Sequence, residues 1–390
     1  DKVNIDRKES VDEAIEAGHF RHYAELGFNV LSPRKYSRGD KPLREKDLER
    51  IEKASKYAGR LGMYYMQWIR GNYRSNKYDV SDGARFVDRR GNEYVAVSPN
   101  ADAFWEILEA QLIPLAKIST RQPLLGAFMD FEKYSGFTEP GRGRGGFAGH
   151  MYPVSFDDAG WERFFASRGE RAPGVALTER ADYLDAKDLR RDFYAQQVGY
   201  WRKQCEHLRA RIDEINPRFR IAVYPASYTM FVREALWPGL GTEDAPILAG
   251  EHYTYGRGNP WKDIIDWHWR IPDDQALSLD RAFLEGRKEA YEGSAPHRIL
   301  GGIFPPHNMD AQLVGRKAAQ FASHVDGYWV FYEGEADSRL DRRMGEWWKI
   351  ANRAAKKGNE DVLVDMWEFE PQRRQYKQMF EIMKNNPVIP

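Results

Sequence analysis

One cysteine, Cys205, stands among 390 residues, so the chain forms no internal disulfide. It lies in YWRKQCEHLRARI, a stretch of helical spacing, where a half-buried filler is its ordinary role. Near-absence of cysteine suits the cytoplasm, and it equally suits many exported bacterial proteins. Net charge is absent as well: 59 basic residues balance 59 acidic ones. No global basic field is available to hold nucleic acid or an anionic membrane, and neither is expected as a partner. No run of about 18 apolar residues occurs, so no transmembrane helix is predicted. The chain opens at Asp1 with no charged n-region and apolar h-region of a signal peptide.

Several signatures of chemistry are missing too. No G-x-G-x-x-G follows an early strand, and there is no P-loop, no H-E-x-x-H and no G-x-S-x-G. GRGRGG (141–146) follows a charged loop instead of a strand and reads as flexible loop. His252 beside Glu251, with His307 and Asp130, offers metal-type side chains, but their spacing matches no known ligand pattern. No metal and no cofactor is expected.

Aromatic residues are abundant. The 12 Trp, 21 Tyr and 20 Phe make 14% of the chain. Core packing uses many of them, and carbohydrate sites use aromatic faces to stack on the C–H face of a sugar ring. The hydrophobic share of 42% is ample for a large core. Short apolar runs alternate with longer charged segments of helical period. GFNVLSP (27–33), MYYMQW (63–68), GAFMDFE (126–132), RIAVYPA (220–226), ILAGEHYTY (247–255), RILGGIFPP (298–306) and GYWVFYEG (327–334) read as strands. Helical segments separate them, and the stretch from about Thr178 to Asn216 reads as helical throughout. The first such helix, REKDLERIEKASKYAGR, ends against Gly62, a natural cap.

This alternation predicts βαβ units and a parallel sheet. Seven strands, with a short or truncated first one near VNI (3–5), give the count of a (β/α)8 TIM barrel. The expected class is therefore α/β, a single barrel domain over 1–357 with an extension at 358–390 packed on its outside. A doubly wound open sheet is the second choice. Two insertions, about 70–100 and 135–180, follow barrel strands 3 and 4 and are expected on the rim where barrel sites form. The first contains ARFVDRRGNEYVAV, which reads as a hairpin turning at RGNE.

The fourth barrel strand ends in an unusual way. In GAFMDFEKY (126–134), Asp130 and Glu132 sit two apart and share one face of a strand. Two like charges so placed raise each other's pKa unless they are solvated, paired or used. Solvated strand-end acids paired to Arg or Lys are the ordinary reading. Glycosidic cleavage is the chemical one, since it needs a proton donor and a negative partner for an oxocarbenium-like transition state. Glu132, longer and further out, suits the donor, and Asp130 lies deeper.

The string D-F-E-x-Y resembles the strand-4 D-x-E motif of (β/α)8 glycoside hydrolases, in particular D-[FW]-E-x-W of hyaluronidases and the end of the chitinase signature D-G-x-D-x-D-x-E. The resemblance implies Glu132 as general acid and Asp130 as the residue orienting a substrate 2-acetamido group. It further implies Tyr253 or Tyr255 as support for that group and Trp329 as a subsite floor. Leu125 and Phe128 stand where the chitinase signature has its first two Asp, and the paired cysteines of animal hyaluronidases are absent.

A second mechanism stays open, in which Asp130 attacks as nucleophile and Glu251 serves as acid/base. The ordinary alternative for Glu251 is a salt bridge, for instance to Arg257. Tyr65 and Trp68 from barrel strand 3, Tyr224 from strand 5, His252 and Tyr134 complete the candidate sugar contacts, with packing as their ordinary alternative. Arg142 and Arg144 would suit an acidic or sulfated sugar, whereas Glu333 beside Glu335 reads as solvated surface. The expected function is that of a glycoside hydrolase on a polysaccharide or oligosaccharide, with a sugar-binding barrel without catalysis as the non-enzyme alternative. Such a substrate places the protein outside the cell or in the periplasm, its signal already removed, with cytoplasm as the alternative.

Overall fold

The computed structural model describes residues 11–16, 18–32, 43–71, 73, 75–131, 154–224, 230–251, 254, 273–303, 311–330, 348–349 and 352–353. Its strands are β1 (Val30–Leu31), β2 (Tyr64–Arg70), β3 (Arg85–Val87), β4 (Glu93–Val97), β5 (Leu124–Asp130), β6 (Arg220–Tyr224), β7 (Ile247–Gly250), β8 (His297–Ile303) and β9 (Gly327–Val330). Seven of them form one sheet in the order β1-β2-β5-β6-β7-β8-β9, every pair parallel. Each of the seven runs read as strands supplies one of these. Residues 3–5, expected as a first strand, and the extension at 358–390 lie outside the described residues.

Side chains divide by register. Tyr65, Ile69, Ala127, Met129, Ile221, Val223, Ile247, Ala249 and Ile299 belong to the large core shared with the helices. Their neighbours Met66, Trp68, Phe128, Ala222, Tyr224 and Trp329 form a separate cluster on the opposite face. This second cluster shows the curl of the sheet. β5 and β9 are four strand spacings apart, which on a flat sheet is about 19 Å. Yet the Phe128 and Trp329 rings lie 5.8 Å apart, and Tyr224 and Trp329 lie 4.7 Å apart. Only a sheet rolled toward a barrel brings them together. The architecture is a TIM-like α/β half-barrel of seven parallel strands, concave on the Trp329 side.

The two ends of the sheet are tied from outside. Trp348 stacks on Tyr328 of β9 at 5.9 Å and packs on Phe28, just before β1, at 5.3 Å. Asn352 donates to the Leu26 carbonyl at 2.9 Å and accepts from the Tyr328 hydroxyl. Burial pushes the Tyr328 phenol pKa well up.

Local sequence explains most element ends. The helix Glu45–Arg60 starts with Asp47 of its first turn accepting from the Arg44 backbone N–H at 3.2 Å and from its guanidinium at 3.0 Å. It ends with Gly62 at φ 76, where Gly62 N donates to Gly59 O and Met63 N to Ala58 O, the Schellman pattern. The stretch expected to be helical throughout from Thr178 is instead broken. A 3-10 turn (Leu177–Glu179) and the helix Arg180–Ala186 precede the helix Arg190–Asp213, and Asp188 between them takes φ 54. Asp tolerates that left-handed conformation, and a charge-rich pattern hides such a single-residue turn. Cys205 is fully buried on this last helix, not half-buried, and its burial raises the thiol pKa.

The hairpin expected in the first insertion is present as β3 and β4. Gly91 (φ 75) makes its turn, and the Asp88 carboxylate accepts from Arg90 N and Asn92 N at 2.8 Å each. The described part of the second insertion packs onto it. Val87 N donates to Ser155 Oγ, and Phe156 N to Val87 O, both at 2.9 Å. Beneath them lies a buried polar network. Asn100 donates to Asp157 (3.0 Å) and Gln197 (3.1 Å) and accepts from the Trp201 indole (2.9 Å). Gln197 in turn pairs with both backbone groups of Ser155. One amide thus joins both insertions to the helix Arg190–Asp213. Burial pushes the nearby Tyr200 phenol up to about 12.

Candidate active site on the concave rim

Asp130 is the last residue of β5, at the carboxyl edge of the sheet where barrel sites form. A local irregularity sets the direction it faces. Tyr65 pairs with Leu124 but Met66 pairs with Gly126, so Leu125 is an extra residue in β5. A bulge of this kind shifts the parity of everything after it. From Gly126 onward the even-numbered residues face the concave side, Phe128 and Asp130 among them. Gly126 is required there, because a Cβ at that position would lie 1.7 Å from the Arg220 carbonyl oxygen.

Asp130 is 3% exposed. The Trp68 indole N–H donates to its Oδ2 at 3.2 Å. Arg70, directly opposite Asp130 in the register, places its guanidinium 5.8 Å from the Trp68 ring centroid. Phe128 and Tyr224 stack at 6.3 Å, and Trp329 closes the group from β9. The result is one acid at the edge of a buried aromatic cluster made of Trp68, Phe128, Tyr224 and Trp329. Arg70 and Phe128 were not among the residues picked from sequence. Their parity with Trp68 and Asp130 is the signal that would have found them.

The other candidates fall elsewhere. Tyr65 belongs to the helix-side core, fully buried, and its hydroxyl donates to Gln67 Oε1 at 3.2 Å. Its place in the alternation of β2, shared with Ile69 and opposite to Met66 and Trp68, puts it on the convex face among packing residues and away from the concave side. Glu251 follows β7 at a register shared with Ile247 and Ala249, which face the helices. Its carboxylate is fully buried in an ion pair with Arg287 of the helix Asp273–Ala290. The structure therefore does not bring Glu251 and Asp130 to one face; Glu251 pairs with Arg287, and Arg257 lies outside the described residues. Glu132, Tyr134, His252, Tyr253, Tyr255, His307, Glu333, Arg142 and Arg144 lie outside the described residues. Among the described residues no group of three or more His, Cys, Asp or Glu could hold a metal ion, and no helix is long and apolar enough to cross a membrane.

No protein-family model matches the chain, and no curated protein matches its sequence. Solved structures do match in fold. One is a polyextremophilic beta-galactosidase from the Antarctic haloarchaeon Halorubrum lacusprofundi, with a TM-score of 0.53 at 13% identity over 92% of this chain and 57% of that one. Another is a beta-galactosidase from the psychrophilic Marinomonas ef1, with a TM-score of 0.53 at 12% identity over 87% of this chain and 56% of that one. The fold resembles the one found in these two enzymes. At such identity the likeness concerns the fold alone, and the chain spans just over half the length of these two enzymes.

Proposed function

We propose that the protein is a glycoside hydrolase acting on a polysaccharide or oligosaccharide at the concave rim. The observation that carries this reading is Asp130, facing inward at the end of β5 beside four aromatic rings and held by the Trp68 indole. A sugar ring bound at the sheet edge presents its anomeric carbon to the strand-end acid, with the buried aromatic cluster as the rigid backing of that acid. Glu132 is the proton donor to the leaving oxygen, and Asp130 meets the positive charge that develops at the anomeric carbon. Where the substrate carries a 2-acetamido group, Asp130 orients it for attack by its carbonyl oxygen. His252, Tyr253 and Tyr134 are proposed as further sugar contacts from the rim. A double displacement with Asp130 as nucleophile needs a proton donor other than Glu251, whose carboxylate is closed off against Arg287. Action on such glycans fits a secreted or periplasmic protein.

The test is turnover on a broad panel of glycans and aryl glycosides by the wild-type protein, Asp130→Asn and Glu132→Gln. Loss of about 100-fold or more in each variant, with the fold retained, is expected for groups that transfer or stabilise charge. Inhibition by an oxazoline-type compound marks acetamido assistance. Binding of glycans without turnover, unchanged in Glu132→Gln, would establish the sugar-binding barrel instead.

A further inference from the structure

Glu251 connects the two faces of the sheet. Its backbone N–H donates to the Leu300 carbonyl of β8 at 2.9 Å, so its main chain is still part of the sheet. Its own carbonyl accepts the Trp329 indole N–H at 2.8 Å, on the concave side. Its carboxylate points the other way, to Arg287, and neither side chain has any exposure. The Arg287 guanidinium is itself confined, lying 5.7 Å from the ring centroids of both Trp237 and Tyr291.

The surroundings support a fixed geometry. Trp329 sits opposite Gly302 in the register, and a Cβ on Gly250 would come within 3.4 Å of its indole nitrogen. The two glycines leave the indole room to lie across β8 and reach the Glu251 carbonyl. Thr254 holds the same segment a second time. Its hydroxyl donates to Gly302 O and accepts from Gly302 N, both at 2.9 Å, and its carbonyl accepts from Lys317, which is paired with Asp280 at 2.7 Å. A buried ion pair adds little stability over a well-packed apolar pair.

We propose that Glu251 is a positioning residue: its carboxylate, locked on Arg287, fixes the carbonyl that holds Trp329, and so sets the aromatic cluster next to Asp130. The consequence for catalysis rests on the glycosidase reading, whereas the placement of Trp329 does not.

The experiment uses protein labelled with 6-fluorotryptophan and fluorine NMR. The Trp329 line is identified by its loss in Trp329→Phe. Paired replacement of Glu251→Met with Arg287→Met removes the charges and keeps an apolar pair of similar length. The Trp329 line is expected to move and broaden, while the lines assigned through Trp161→Phe and Trp201→Phe stay in place. Arg287→Lys, which keeps the charge, is expected to leave the Trp329 line near its wild-type position. Should the paired variant not fold, Glu251→Gln is judged by the same line. An unmoved Trp329 line in the folded variant overturns the proposal. On an active substrate KM is expected to rise about 2- to 10-fold with kcat nearly unchanged, the scale of one lost aromatic contact. A wild-type protein without turnover would sink the glycosidase reading and leave the fluorine result to decide this one.

Discussion

Trp68 and Asp130 meet across adjacent parallel strands, the indole N–H donating to the carboxylate at 3.2 Å. The bond joins the aromatic cluster to the acid. Trp68→Phe keeps a ring and removes the donor, so the buried carboxylate loses a partner at a cost of about 1–3 kcal/mol. Urea unfolding should show a lower midpoint at an unchanged slope, and turnover should fall with it. Unchanged stability and turnover would remove this bond from the account of the site.

Gly126 of β5 pairs with Arg220 of β6, and its missing Cβ leaves room for the Arg220 carbonyl. Gly126→Ala places a Cβ 1.7 Å from the Arg220 carbonyl oxygen and 2.6 Å from its carbonyl carbon, backbone atoms of a paired strand that cannot swing aside. The cost should reach or exceed the roughly 1–3 kcal/mol typical of overpacking. Gly250→Ala, whose nearest contact is 3.3 Å, should cost clearly less. Thermal unfolding of the two variants side by side checks the ranking.

Asn100 and Gln197 belong to one network, so their losses should not add. Asn100→Ala strips Asp157, Gln197 and Trp201 of a partner, and Gln197→Leu frees both backbone groups of Ser155. A double-mutant cycle should give a coupling of about 0.5–3 kcal/mol. A coupling of zero would mean that the two insertions are braced independently.

His297 carries a pH dependence of known sign. Burial is the main cause that lowers its pKa below the ordinary 6.5, and the Arg287 charge acts in the same direction. Above 6.5 both folded and unfolded forms are neutral, and its stability is fully present. As pH falls below 6.5 the unfolded chain binds a proton first, so stability is lost down to the folded pKa. The difference in unfolding free energy between wild type and His297→Phe should therefore shrink from pH 7.5 to pH 5. A difference that grows instead would mean that the ring is stabilised as a cation, against its stack on Trp237 at 5.0 Å.

The seven strands could be read because each is a short apolar run between charged helical segments, and a parallel sheet covered by helices requires that pattern. The hairpin at 85–97 was legible from Gly91 and the alternation around it. The break at Asp188 was not, since one residue in a left-handed conformation leaves no trace in a charge-rich helix pattern. The candidate acids were legible only in part. Asp130 was found because an acid closes an apolar run, and it does face the concave side. Glu251 closes a similar run in ILAGEHY and faces away, because its position has the parity of Ile247 and Ala249.

By itself the sequence determined the class of the fold, the order of its strands and the acid at the end of β5. Hydrophobic periodicity and turn residues act over a few positions and are written in the chain. The tertiary structure decided which face each side chain takes. The extra residue at Leu125 turns Asp130 toward Trp68, and the curl of the sheet carries Trp329 from the last strand to Tyr224. Both depend on how strands register against one another, and register is a property of the assembled sheet.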